Sequence, residues 1–239
     1  MLGGQRRVSR NSTSVGSACK PSTIAHCPKA SGRNLIRKLT AAAADRHIKA
    51  AEEASRVFDT LLDQRLIKPD GKRRNLAVLP TGEVIDRYGR LLAYLAPWFA
   101  NTRSDPLPPR HDPERRTFNL NMIENGWAAF FPVYPSLPPQ EDWNLTVKAA
   151  ERAWAEARGA WKAHGRRLLL AYEYRMCIKL GTAKSAKDGI AEAFQRICVD
   201  LRDRRVVGKY DFYKLDPPHR LWVWQEHVEQ AKADLGLHA

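Results

Sequence analysis

At 239 residues the chain is long enough for one large domain or two small ones, and its 44% hydrophobic content and seven tryptophans suffice for a buried core. No apolar run approaches the roughly 20 residues that span a bilayer, which excludes a helical membrane protein and predicts a soluble one. The net charge of +14 and the pI near 9.9 favour a polyanionic partner such as nucleic acid, with a generic basic surface as the alternative.

The four cysteines predict neither a disulfide framework nor a zinc site. Cys19 and Cys27 lie near His26, but no second ligand pair follows at zinc-like spacing. Cys198 lies on the apolar side of a predicted helix and Cys177 in an apolar stretch, so we expect both to be buried thiols. This usage is typical of a reducing compartment, and we expect a soluble, cytoplasmic protein.

The first 44 residues are predicted to form a basic, disordered tail. They contain eight Lys and Arg and no Asp or Glu, and the first 33 show no sustained apolar period. The composition fits a mitochondrial transit peptide, a nucleic-acid-binding tail or a translated stretch ahead of the native start, and these alternatives remain open.

Helical spacing begins at Asp45, where apolar residues recur every three or four positions. The turn signal at residues 69–71 is followed by a predicted strand at residues 75–79, and a second strand is predicted at residues 90–96. Because both faces of the second strand are apolar, we expect it to be covered on both sides.

Two helices are predicted in the middle of the chain and a separate region beyond them. The first helix spans residues 117–125 and ends at a glycine. The second is long, and its tryptophans share one face, which predicts that they lie in the core. After residue 165 the pattern predicts a small α+β domain over residues 166–239, with strands at 168–180, 206–215 and 220–224 and helices at 190–201 and 226–235.

Residues 86–95, which read DRYGRLLAYL, carry the strongest functional signal. A turn containing glycine leads Arg90 into an apolar strand, where its planar guanidinium suits a phosphate. The run resembles the Asp-x-Tyr-Gly-Arg-x-Leu-Ala-Tyr motif of the staphylococcal (thermonuclease-like) nuclease family. Residues 124–128 and the Ala-rich helix ending at Trp161 resemble later segments of the same family, so the likeness covers about residues 45–161.

The resemblance implies a five-stranded oligonucleotide-binding (OB-fold) barrel with helices, and calcium-dependent hydrolysis of phosphodiesters in DNA and RNA. It implies that Arg90 is catalytic and that Tyr88 and Tyr134 face the nucleotide, whereas the family's other nucleotide-facing tyrosine is replaced here by Pro132. The basic residues Lys72 and Arg73 are further candidates for nucleic-acid binding, with a solvated loop as the alternative.

The acidic half of the family's site is not found in this sequence. The resemblance implies aspartates from an early Asp-Gly-Asp-Thr hairpin and an Asp-x-Pro-Glu turn, but residues 1–44 contain no carboxylate. Calcium takes several oxygen ligands, and attack by water needs a group that positions or deprotonates it. Glu83 and Asp86 are the nearest carboxylates, and acidic residues are common beside turns for conformational reasons. The metal ligands are therefore unknown.

We expect an α+β protein with three parts: the tail of residues 1–44, an incomplete OB-fold-like barrel with packed helices over residues 45–163, and the C-terminal region. We expect a nuclease-family protein of weak or no activity, either a truncated or frame-disrupted product or a descendant that lost the metal site. The alternatives are a non-catalytic nucleic-acid-binding module and an interaction protein whose working part is residues 166–239. The oligomeric state is not predicted.

Overall fold

The computed structural model describes residues 29–40, 42–85, 89, 91–109, 112–138 and 140–238. These residues form a mixed α+β structure with two separate sheets, neither of which closes into a barrel within the described ranges. The α+β class is confirmed, whereas the barrel-like arrangement of the strands stays a prediction. None of the described helices is both long enough and apolar enough to cross a bilayer.

Two helices begin the described chain, α1 (Lys29–Lys38) and α2 (Ala43–Arg65). Helix α2 confirms the predicted helix from Asp45, but α1 falls in the segment that the sequence predicts to be disordered. Ten residues are too few for a stable isolated helix, so α1 depends on tertiary contacts. Its Leu35 is fully buried in the C-terminal core, and the Ser31 hydroxyl donates to the carbonyl of Tyr210. The tail prediction for residues 1–28 lies outside the described residues.

The first sheet is an antiparallel pair of strands, β1 (Leu76–Ile85) and β2 (Leu91–Pro97). The prediction that the second strand is covered on both sides is wrong for most of its length. Only Ala96 and Pro97 are buried, and Leu91 is about half exposed. The reason is that no further described strand continues this two-stranded sheet, and the one described α-helix with several contacts to it, α3, packs on β2.

The middle of the chain contains helices α3 (Phe118–Glu124), α4 (Gln140–Ala155) and α5 (Ala160–His164). Helix α3 ends at Gly126 as predicted, with φ of +74°, and the structure adds an N-terminal cap in which the Thr117 hydroxyl accepts from the Leu120 N–H at 3.1 Å. The long predicted helix is interrupted between α4 and α5. The tryptophans on it are only partly buried, and the buried face of α4 is formed by small residues, which are Thr146, Ala149, Ala150 and Ala153.

The interruption brings two glycines together. Gly159 has φ of +51°, and the Ala160 N–H donates to the Gly126 carbonyl at 3.0 Å. A Cβ on Gly126 would lie 2.3 Å from the Arg158 carbonyl oxygen, and one on Gly159 would lie 2.4 Å from that of Asn125. Both positions therefore require glycine, for the close approach as well as for the positive φ.

The C-terminal region contains three more helices, α6 (Ala171–Thr182), α7 (Ala186–Ala193) and α8 (Val228–Leu235). Strands β4 (Arg196–Asp200), β5 (Arg205–Gly208) and β6 (Arg220–Trp224) lie between α7 and α8 in the chain. The predicted strand at residues 168–180 is wrong, because this stretch forms α6. The predicted helix at residues 190–201 is half right, since α7 ends at Ala193 and β4 follows.

The second sheet joins the two halves of the chain. Its strand order is β3-β6-β4-β5, where β3 (Val133–Tyr134) lies parallel to β6 and the other neighbours are antiparallel. The core around Trp222 is built mainly from the C-terminal region, but Leu35 and Phe131 also pack in it. The division at about residue 165 therefore stays a prediction, and strand pairing crosses it.

Both predicted buried thiols, Cys177 and Cys198, are confirmed as buried, and neither is in a disulfide. Burial raises the pKa of the Cys198 thiol to about 12. Because the thiolate is the reactive form, this cysteine is an inert core residue at neutral pH. Cys19, Cys27 and His26 lie outside the described residues.

Candidate nucleic-acid interface

The motif that carries the family resemblance lies at the end of the β1–β2 hairpin. Ile85, the last residue of β1, pairs with Leu91, the first residue of β2. Between them, Gly89 has φ of +75°, a backbone conformation that favours glycine in a tight turn. Tyr88 and Arg90, the two predicted site residues of this turn, lie outside the described residues, so their roles stay predictions.

The predicted basic residues Lys72 and Arg73 lie on the loop that enters β1. The Asp70 carboxylate shapes this loop by accepting from the Lys72 backbone N–H at 3.0 Å. Arg73 donates from Nη1 to Oδ1 of Asp63 at 2.9 Å, and their side chains are 53% and 73% exposed. An ion pair this exposed is weak, so Arg73 retains much of its capacity to attract a phosphate.

Arg74, the basic residue that follows Lys72 and Arg73, faces inward. Its Nη1 donates to the buried Asp105 carboxylate, and its guanidinium lies 4.3 Å from the ring centre of Phe99. Lys68 Nζ lies 3.8 Å from the other oxygen of Asp105, which also accepts from the Ala100 N–H at 3.0 Å. Asp105 therefore anchors the loop that follows β2 to the loop that precedes β1. No local sequence signal reveals this pairing, because the partners are 31 residues apart.

Tyr134, the predicted nucleotide-facing tyrosine, is used within the fold. It is 7% exposed, and its hydroxyl donates to Oδ2 of Asp234 on α8. This hydrogen bond raises the pKa of the Tyr134 phenol. The ring packs edge-on against His227, with 6.4 Å between the ring centres. A nucleotide contact by Tyr134 stays a prediction, and it would require displacement of α8.

The three predicted site residues that the structure describes are not on one element. Lys72 and Arg73 precede the two-stranded sheet, whereas Tyr134 belongs to the four-stranded sheet. The surface-exposed members of the candidate interface are therefore Lys72 and Arg73.

The described residues do not fit the calcium ion that the resemblance implies. No group of three or more His, Cys, Asp or Glu side chains among them is arranged to hold a metal. Three carboxylates near the hairpin and α3 contact basic side chains, namely Asp63 with Arg73, Asp105 with Arg74 and Lys68, and Glu124 with Arg116. Calcium takes about six to eight oxygen ligands. The side chain of Glu83 and the whole of Asp86 lie outside the described residues.

A cleft of about 360 Å³ lies between β2, α3 and α4. Tyr94 and Leu95 line it from β2, and burial raises the pKa of the Tyr94 phenol. The rest of its wall is mostly apolar, including Leu120, Ile123 and Phe130, with no charged side chain among the described residues that line it. A phosphate would be unfavourable here, because no described cationic side chain lines the cleft to compensate the hydration that the phosphate would lose.

Comparison with known proteins agrees with the resemblance. A family model described as staphylococcal nuclease homologue matches residues 38–163, which include the hairpin, α3, β3 and α4. Neither the curated proteins nor the solved structures give a match. Since the family match spans more than half of the 239 residues, this chain belongs to the staphylococcal nuclease homologue family.

Proposed function

We propose that this chain binds nucleic acid and has weak or no calcium-dependent phosphodiesterase activity of its own. Its family acts on nucleic acids, and the net charge of +14 favours a phosphate backbone. The observation that carries the second half is that no three or more His, Cys, Asp or Glu side chains among the described residues are arranged to hold a metal.

Each part of the proposed chemistry has a physical requirement. Arg90 would stabilise the negative charge that develops on the phosphate during hydrolysis. Hydrolysis also needs a water molecule that is oriented and deprotonated. Asp105 is a poor base for this purpose, because it is buried and held by Arg74 and Lys68. Binding has no such requirement, since exposed Lys and Arg side chains suffice for it.

Binding to single-stranded DNA is expected to weaken steeply as salt increases, with a slope of about −0.7 in log K against log salt for each phosphate contact. Replacing Lys72 by alanine is expected to make the slope shallower by about one contact and to weaken binding several-fold at low salt. Lys187→Ala, which removes an exposed lysine from α7, is the matched control and should leave both quantities unchanged.

The measurement is fluorescence anisotropy of a labelled oligonucleotide between about 50 and about 200 mM salt. Affinity that depends on contacts to the phosphate backbone falls by orders of magnitude over this range. Binding that is absent, or that does not respond to salt, would remove the nucleic-acid half of the proposal. Equal effects of the Lys72 and Lys187 variants would remove the loop before β1 as the contact surface.

A further inference from the structure

The outer edge of β1 is an unpaired strand edge in the described structure. Among the described residues β1 pairs only with β2, and α3 packs on β2, so no described strand lies beside the outer edge of β1. An open strand edge is also a template for pairing with another strand. Six apolar residues of the hairpin are 38–53% exposed, namely Leu76, Val78, Leu79, Val84, Ile85 and Leu91.

The register identifies the backbone groups that face outward. The Trp98 N–H donates to the Asn75 carbonyl at 2.9 Å, so odd-numbered residues of β1 direct their polar groups toward β2. Leu95, the partner of Val78, directs its N–H away from β1, to Oδ1 of Asn119 at 2.9 Å. The antiparallel alternation therefore leaves the N–H and C=O groups of Leu76 and Val78 on the open edge.

Both ends of this open segment are closed to further pairing. Pro80 is the next outward-facing residue and has no N–H to donate. On the other side, the Arg74 N–H already donates to the Leu66 carbonyl at 2.6 Å. The edge that another strand can use is therefore Leu76 to Val78, with the small side chain of Ala77 at its centre.

Charge identifies the kind of strand that fits. Residues 75–82 and 91–98 contain no charged side chain, although the whole chain carries +14. A charged partner strand could form no ion pair with a side chain along this edge. An equally uncharged apolar edge matches it, and β1 of a second copy is such an edge.

We propose that two copies of this chain associate through their β1 edges in an antiparallel arrangement about a two-fold axis at Ala77. Leu76 of one copy then lies opposite Val78 of the other, with about four main-chain hydrogen bonds between the strands. The result is a continuous four-stranded sheet in the order β2-β1-β1-β2. The contact is small, so the dimer is weak and depends on concentration.

The net charge gives this dimer a distinctive salt response. Two chains of +14 repel each other at low salt, and screening reduces that repulsion. Dimerisation therefore strengthens as salt increases, whereas binding to nucleic acid weakens. The dimer does not rest on the proposed function, and the opposite salt dependences keep the two tests separate.

Sedimentation velocity of the full chain, freed of nucleic acid, tests the proposal. At about 100 µM protein and about 0.5 M salt, the mass should rise from 27.1 kDa toward twice that value, and it should fall again on dilution or at low salt. Val78→Lys places two cations beside the shared axis and should weaken the dimer at least about tenfold. Ile48→Lys, at a residue 41% exposed on α2 against 45% for Val78, is the matched control and should not change it.

Amide hydrogen exchange of the unmodified chain gives a second measurement that does not depend on how the variants fold. The amides of Leu76 and Val78 should become more protected as protein concentration rises, whereas those of Ala77 and Leu79 face β2 and should not change. A chain that stays monomeric at both low and high salt overturns the proposal. This result is expected if another segment of the same chain covers the edge of β1, or if the edge binds a different protein instead of a second copy. A dimer insensitive to Val78→Lys, or equally sensitive to Ile48→Lys, also overturns it.

Discussion

Residues 166–239 expressed alone are expected not to fold, whereas residues 29–239 are expected to melt cooperatively. The fragment lacks β3, which covers one edge of β6, and the preceding Pro132, whose carbonyl accepts from the Trp222 N–H at 3.0 Å. It also lacks Leu35 and Phe131, which pack in the core around Trp222. Burial of each such side chain contributes about 1.5–3 kcal/mol, against a total stability of about 5–15 kcal/mol for a domain.

Far-UV circular dichroism and thermal melting of the two fragments provide the measurement. A cooperative transition in residues 166–239 alone would establish an independent domain. It would also favour the interpretation that this region is an interaction module which the nuclease-like part merely supports.

Replacing Glu173 by glutamine is expected to reduce the free energy of unfolding by about 3–5 kcal/mol, the usual cost of removing one partner from a buried ion pair. Glu173 is fully buried, and its carboxylate accepts from Lys38 Nζ at 2.6 and 2.8 Å and from the Leu170 N–H at 3.1 Å. Arg220, which is also buried, lies 3.5 Å away and additionally donates to the Tyr172 hydroxyl. Without the carboxylate, two cations would remain close together with no counter-charge.

The free energies of unfolding of the two single variants, Glu173→Gln and the control Glu229→Gln, are compared by urea unfolding. Glu229 pairs with Lys232 at 2.8 Å, but its side chain is 85% exposed, so the control should lose less than about 0.5 kcal/mol. Similar losses in both variants would mean that the buried network does not hold α1 against the C-terminal region.

Local sequence patterns predict the secondary structure correctly where one face of a helix or strand is buried. Helices α2 and α3 and strand β6 follow from their periodicity and, for α3, from the terminating Gly126. Helix α6 was mistaken for a strand because a short apolar run does not distinguish a strand from a buried helix. The sequence predicts a helix in place of strand β4, because Ile197, Cys198 and Leu201 continue the helical spacing of α7. The segment is extended because it pairs with β5 and β6.

For the candidate site too, features encoded in a short stretch of sequence were predicted, whereas contacts between distant residues were not. The motif at residues 86–95, together with the later segments at residues 124–128 and up to Trp161, identifies the family, which the match to residues 38–163 confirms. The contacts that assign structural roles to Asp105 and Tyr134 join residues 31 and 100 positions apart. No local periodicity encodes such contacts, so the sequence could not show that the Tyr134 hydroxyl is engaged by Asp234.

Cleavage of single-stranded DNA by the purified full chain, with excess calcium and with a calcium chelator, tests the central claim most directly. Because the described carboxylates do not assemble a metal site, we expect hydrolysis to be equally slow in both conditions and unchanged by Arg90→Ala. Rapid cleavage that requires calcium, stops with the chelator and is lost in Arg90→Ala would contradict the account.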